Sequence, residues 1–167
     1  NTGGDTTYNW TNDNTTIGLP IAGGTGDIGS FVVTNDTSEL QTATFVVTPI
    51  YTNGVISCEG QTETFTISVN PTAQVNVIGD QDLCEGEVTA PIEFTTINSD
   101  GITTYEWTNT NNEIGLALIG SSDITTFPAE NSTAIVQTGV VTVTPLNNGC
   151  PGVPAVFEIT VNLFFEF

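Results

Sequence analysis

The sequence predicts an all-β chain folded as two consecutive two-sheet sandwiches. Three observations carry that expectation: apolar and polar residues alternate in short runs, one pattern of residues occurs twice, and no stretch holds a helical period.

The alternation is direct. Val75 and Val77 flank Asn76, and Tyr105 and Trp107 flank Glu106. Val141 and Val143 alternate with Thr142 and Thr144, and Phe157, Ile159 and Val161 with Glu158 and Thr160. Runs of this period, broken by Gly, Asn and Pro, form antiparallel strands with one buried face. About seven such strands in about 91 residues is the strand density of a two-sheet sandwich.

The repetition sets the domain organisation. Thr7-Tyr8-Asn9-Trp10-Thr11 returns as Thr104-Tyr105-Glu106-Trp107-Thr108, and Ile17-Gly18-Leu19 as Ile114-Gly115-Leu116, both at an offset of 97. Asp27-Ile28 matches Asp123-Ile124, and Val47-Thr48-Pro49 matches Val143-Thr144-Pro145, at an offset of 96. Phe65, Ile67, Val69 and Asn70 match Phe157, Ile159, Val161 and Asn162 at an offset of 92. The drift places the length changes in loops. Residues 72–162 therefore read as a complete repeat, and residues 1–71 as one lacking its first two strands. Residues 163–167 read as an aromatic tail or the start of a next segment.

Charge narrows the function classes. The 167 residues include 19 acidic side chains and no Lys, Arg or His, for a formal net charge of −19. No side-chain ion pair can form within the chain, and nucleic acid and anionic membranes repel it. Trypsin has no site, which suits a protein living outside the cell, and acidity keeps secreted proteins soluble. No stretch approaches the roughly 18 apolar residues of a membrane helix, so membrane insertion is not expected. The chain starts without Met or a signal peptide and reads as the interior of a longer precursor or a matured product.

Three cysteines in an extracellular chain leave one over. Cys84 and Cys150 both fall in the complete repeat, and Cys58 is the counterpart of Cys150. The expectation is a Cys84–Cys150 disulfide contributing about 4 kcal/mol, with Cys58 paired outside this segment. Metal ligation by isolated cysteines without His is the alternative.

The stretches Tyr-Asn-Trp-Thr-Asn-Asp-Asn-Thr-Thr-Ile-Gly-Leu-Pro at 8–20, Thr-Gly-Asp-Ile at 25–28, Val-Thr-Pro at 47–49 and Phe-Thr-Ile-Ser-Val-Asn-Pro at 65–71 lie in order at matching spacing. Together they resemble the PKD-like (polycystic-kidney-disease-like) repeats of very large surface proteins of gliding and related Bacteroidota. The resemblance implies tandem immunoglobulin-like (PKD-like) β-sandwich repeats, exported by the type IX route and serving as cell-surface adhesins or extracellular fibres. It carries no catalytic residues over to this chain. The order Cys84, Trp107, Cys150 also resembles that of antibody domains, although both cysteines sit beside turns. After Val161-Asn162 the pattern departs: Leu163-Phe164-Phe165-Glu166-Phe167 stands where Pro71 follows Asn70 in the first copy.

Candidate sites are few. Without His or Lys there is neither a Ser-His-Asp arrangement nor a Lys nucleophile. A carboxylate pair for glycoside cleavage finds Glu106 and Glu113, which are Asn9 and Thr16 in the first copy. No enzyme and no cofactor are expected. Asp80, Asp82, Glu85 and Glu87 form an acidic cluster that suits calcium or simply a solvated turn. Asp27 and Asp123 read as leading residues of matched turns. Asn9, Asn14, Asn35 and Asn131 each open an Asn-x-Ser/Thr pattern, and Asp5-Thr6-Thr7 makes Thr6 a candidate O-glycan site. Leu163, Phe164, Phe165 and Phe167 are candidate assembly residues. They fill the open first copy of a neighbour by strand addition, or they are the next strand of a continuing chain. Trp10 and Trp107 read as core residues, with sugar stacking as the alternative.

The reading of best fit is a structural and adhesive module of an extracellular bacterial filament or giant surface adhesin. Its partners are neighbouring repeats or further copies. The second reading is a polysaccharide-binding accessory module of a secreted hydrolase, which calls for an exposed aromatic platform.

Overall fold

A computed structural model describes residues 3–163. The chain divides into two compact units, Asn1–Pro71 and Thr72–Phe167. Apart from two single-turn 3-10 helices, the regular structure is all β, with one hydrogen-bonded sheet in each unit.

The first unit contains β1 (Asp5–Asn12), β2 (Gly23–Thr25), β3 (Gln41–Asn53), β4 (Ile56–Glu59) and β5 (Glu63–Val69). β1 lies antiparallel between β2 and β3. The long β3 takes two partners in succession, β5 along Gln41–Val47 and β4 along Ile50–Asn53.

The second unit contains β6 (Gln81–Cys84), β7 (Thr103–Asn109), β8 (Ile119–Ser121), β9 (Gln137–Asn147), β10 (Cys150–Pro151) and β11 (Ala155–Asn162). Its sheet runs β6-β11-β9-β7-β8, with β10 paired to the end of β9. β6 has no counterpart among the described residues below 72, and it pairs parallel to β11. The second layer of this sandwich is extended chain joined by isolated bridges, Val88 to Pro128 and Ile92 to Ile124.

The predicted alternation holds best in the second unit. Gly139, Val141, Val143, Pro145 and Asn147 of β9 all point inward, as do Phe157, Ile159 and Val161 of β11. They pack with Ile92, Phe94, Trp107, Ile114, Leu116, Ile124 and Ala129. One expected strand is absent: Val75 and Val77 lie in no ladder, and Val77 is 97% exposed. Asn76 instead bonds Thr95 through main chain and side chain, at 2.8 Å each. The segment is extended but tied to a loop, so its side chains do not obey a sheet's period.

Each unit seats a tryptophan on a glycine. A Cβ on Gly120 would lie 2.2 Å from the Trp107 ring, and one on Gly24 2.8 Å from Trp10. Only glycine lets the short strands β8 and β2 approach that closely.

Candidate functional site

Without cationic side chains, the buried polar groups of this chain are satisfied by main chain, amides, hydroxyls and carboxylates. Asparagine does that work, at matched positions in the two units. Asn35 and Asn131 are buried, and each donates its amide to two carbonyls: Glu39 and Val69 in one case, Ile135 and Val161 in the other. Their Oδ1 atoms accept from the main-chain N–H and the hydroxyl two residues on, at Thr37 and Thr133. Asn14 and Asn111 cap the 3-10 helices, accepting from Thr16 and Glu113, and reach across to the carbonyls of Thr42 and Thr138. Asn12 and Asn109, also buried, pin the loops that follow β1 and β7.

This arrangement explains three of the four Asn-x-Ser/Thr patterns. At Asn14, Asn35 and Asn131 the threonine two positions on is a hydrogen-bond partner of the asparagine, and the amide is committed to backbone. The pattern spells a turn. Asn9 is exposed and accepts from Thr25, strand to strand. Sequence reasoning missed the clamps, although the signal was present in the recurrence of Asn12, Asn14 and Asn35 as Asn109, Asn111 and Asn131.

The expected disulfide is overturned. Cys58, Cys84 and Cys150 are all exposed, and none is bonded to another. Cys84 pairs beside Asn162, one residue past the Val161–Gln137 pair, whereas Cys150 pairs with Asn147 at the far end of β9. Ten residues of strand at about 3.3 Å each place the two positions roughly 30 Å apart, and a disulfide needs Cα atoms within about 7 Å. Cys58 sits opposite Tyr51 as Cys150 sits opposite Asn147, so the two hairpin cysteines do occupy equivalent places.

The acidic cluster is not gathered into a cation site. Asp80 accepts from the Glu158 N–H, Asp82 from the Asn162 amide, and Glu87 from the Cys84 N–H, while Glu85 faces solvent. These carboxylates tie β6 to β11 and close the turn after β6. No group of three His, Cys, Asp or Glu fit to hold a metal occurs among the described residues.

Asp123 has a role that the turn reading missed: it accepts from the Phe94 N–H at 2.9 Å, latching the second layer onto the sheet. Burial, and then the negative charge of Asp123, push the Tyr105 hydroxyl above its ordinary value, with a hydrogen bond between Tyr105 and Thr96 opposing. Glu106 and Glu113 do not form a pair. Glu106 lines an open groove beside Trp107, and Glu113 lies on the 3-10 helix near Ser132. Both indoles are buried. Thr6 is exposed on β1, opposite Tyr51. Leu163 is half-buried, and Phe164, Phe165 and Phe167 lie outside the described residues.

No helix among the described residues is long and apolar enough to cross a membrane. No curated protein matches the chain. Among solved structures, domains 4 and 5 of the S-layer protein SbsC are similar at 15% identity and a TM-score of 0.33, over 95% of this chain and 70% of that one. A family model, that of the PKD-like domain, matches residues 1–73.

Proposed function

We propose that the chain is a non-enzymatic structural and adhesive module of an extracellular bacterial filament or giant surface adhesin. The observation that carries this reading is what the two units have in common. They share the tryptophan on its glycine, the capped 3-10 helix and the asparagine clamps, all of which hold the fold. They differ where chemistry is presented to solvent: Glu106 faces out where Asn9 does, and Glu113 where Thr16 does. A scaffold repeated with its surface free to vary is what a spacer needs. The PKD-like match supports a structural or surface role in the same direction. Burial of both indoles supports the spacer over a sugar-binding platform, which works through exposed rings.

Immunogold microscopy of intact producing cells, with antibodies raised against this chain, tests the reading. Label on the cell surface or along extracellular fibres is expected. Label confined to the cell interior ends it.

A further inference from the structure

Among the described residues the first unit has counterparts of β7 to β11 but none of β6 and the cover it belongs to, and the second unit shows what that cover is. There, residues 73–96 cross the sheet face and contribute Val75, Ile78, Leu83, Ile92 and Phe94 to the core. The segment is held along two rims. On one, β6 runs parallel to β11, with Gln81, Asp82 and Leu83 beside Ile159, Thr160 and Val161. On the other, Glu87, Thr89 and Ile92 exchange main-chain hydrogen bonds with Ala129, Phe127 and Ile124. Asp123 latches Phe94 between them.

Each of these features has a counterpart in the first unit that waits without a partner strand. Among the described residues β5 pairs with β3 alone, and the main chain of Ser68, the match of Thr160, faces its open outer edge. Ile28, Phe31 and Val33 match Ile124, Phe127 and Ala129, and Val33 is 49% exposed where Ala129 is 1%. Asp27 is exposed like its match Asp123, but accepts no hydrogen bond among the described residues. Phe65 is 43% exposed where Phe157 is 2%. The clamp of Asn35 on the Val69 carbonyl does not block the edge, because Asn131 clamps Val161 in the same way while β6 pairs there.

We propose that the first unit is a strand-acceptor site for an extended polypeptide segment with the chemistry of residues 73–96. The segment lies parallel to β5 and antiparallel to the strip at 28–33, with Asp27 accepting a main-chain N–H and apolar side chains covering Phe65. This inference rests on the comparison of the two units and is independent of the surface-module reading.

The test is hydrogen exchange on the full chain, dilute enough to be monomeric, with a synthetic peptide of residues 72–97 added. Protection of the Ile28, Val33 and Ser68 amides is expected to rise at least about tenfold, and a peptide carrying Leu83→Asp and Ile92→Asp is expected to leave them unchanged. Any of three results overturns the proposal. One is no protection at saturating peptide, another is equal protection by the doubly substituted peptide. The third is protection supplied by a peptide of residues 160–167, or by raising the chain's own concentration.

Discussion

β3 and β9 are nearly the same strand, yet they are buried differently. Both begin with inward residues at every second place, Ala43 and Phe45 in one, Gly139 and Val141 in the other. In β9 the pattern continues through Val143 and Pro145 to Asn147, whereas in β3 nothing beyond Phe45 is fully buried. Local sequence does not account for this, because Val47-Thr48-Pro49 and Val143-Thr144-Pro145 are identical. The difference lies in the second layer: residues 73–96 cover β9 and β11, and no described segment covers the matching part of β3 and β5. An alternating strand states which face will be buried, and only a second layer buries it.

The largest expected effect breaks this comparison at the core. Phe157→Ala should destabilise the second unit by about 3–5 kcal/mol, as a fully buried ring does. Phe65→Ala, at the same place in the first unit, should cost no more than about 1 kcal/mol. Exchange of the slowest amides in each unit reads the two separately, and equal losses would mean that the second layer adds nothing. The clamps sharpen the comparison from the other side. Asn35→Ala and Asn131→Ala should each cost about 2–3 kcal/mol by stranding two carbonyls, and by similar amounts, since the cover plays no part in the clamp. A loss at Asn131 several times that at Asn35 would show that the cover and the clamp are coupled.

The smallest effect concerns Tyr105, held by burial and by Asp123 in its neutral form. Its folded value lies above the unfolded one, so its contribution is fully present below about pH 10. That contribution is lost as pH rises through the folded value, where ionisation draws the chain towards the unfolded state. Urea melts from pH 8 to 11 should show an alkaline fall that Tyr105→Phe reduces. An unchanged profile in the variant would assign the fall to other groups.

Much of this was legible in residue order. The period of two located β7, β9 and β11, because alternation follows directly from strand geometry. It failed at Val75 and Val77, where the chain is extended but held by loop contacts. The matched tryptophans were legible as core. The matched asparagines were not, because an asparagine beside a threonine reads equally as a glycan acceptor, a loop residue or a clamp until its partners are known.

The sequence by itself determined the all-β class, the alternating faces, the absence of side-chain ion pairs and the repetition of a common frame. The first three depend on residues a few positions apart or on composition, for which short-range sterics and charge suffice, and the repetition is read by setting the chain against itself. Only the tertiary structure decided the rest. It showed that Cys84 and Cys150 stand at opposite ends of the second unit, that Asp80, Asp82 and Glu87 bond main chain and amides instead of converging, and that Asp123 latches a second layer. Each depends on strand register and sheet order, which bring together or separate residues dozens of positions apart, and spacing along the chain carries no measure of those distances.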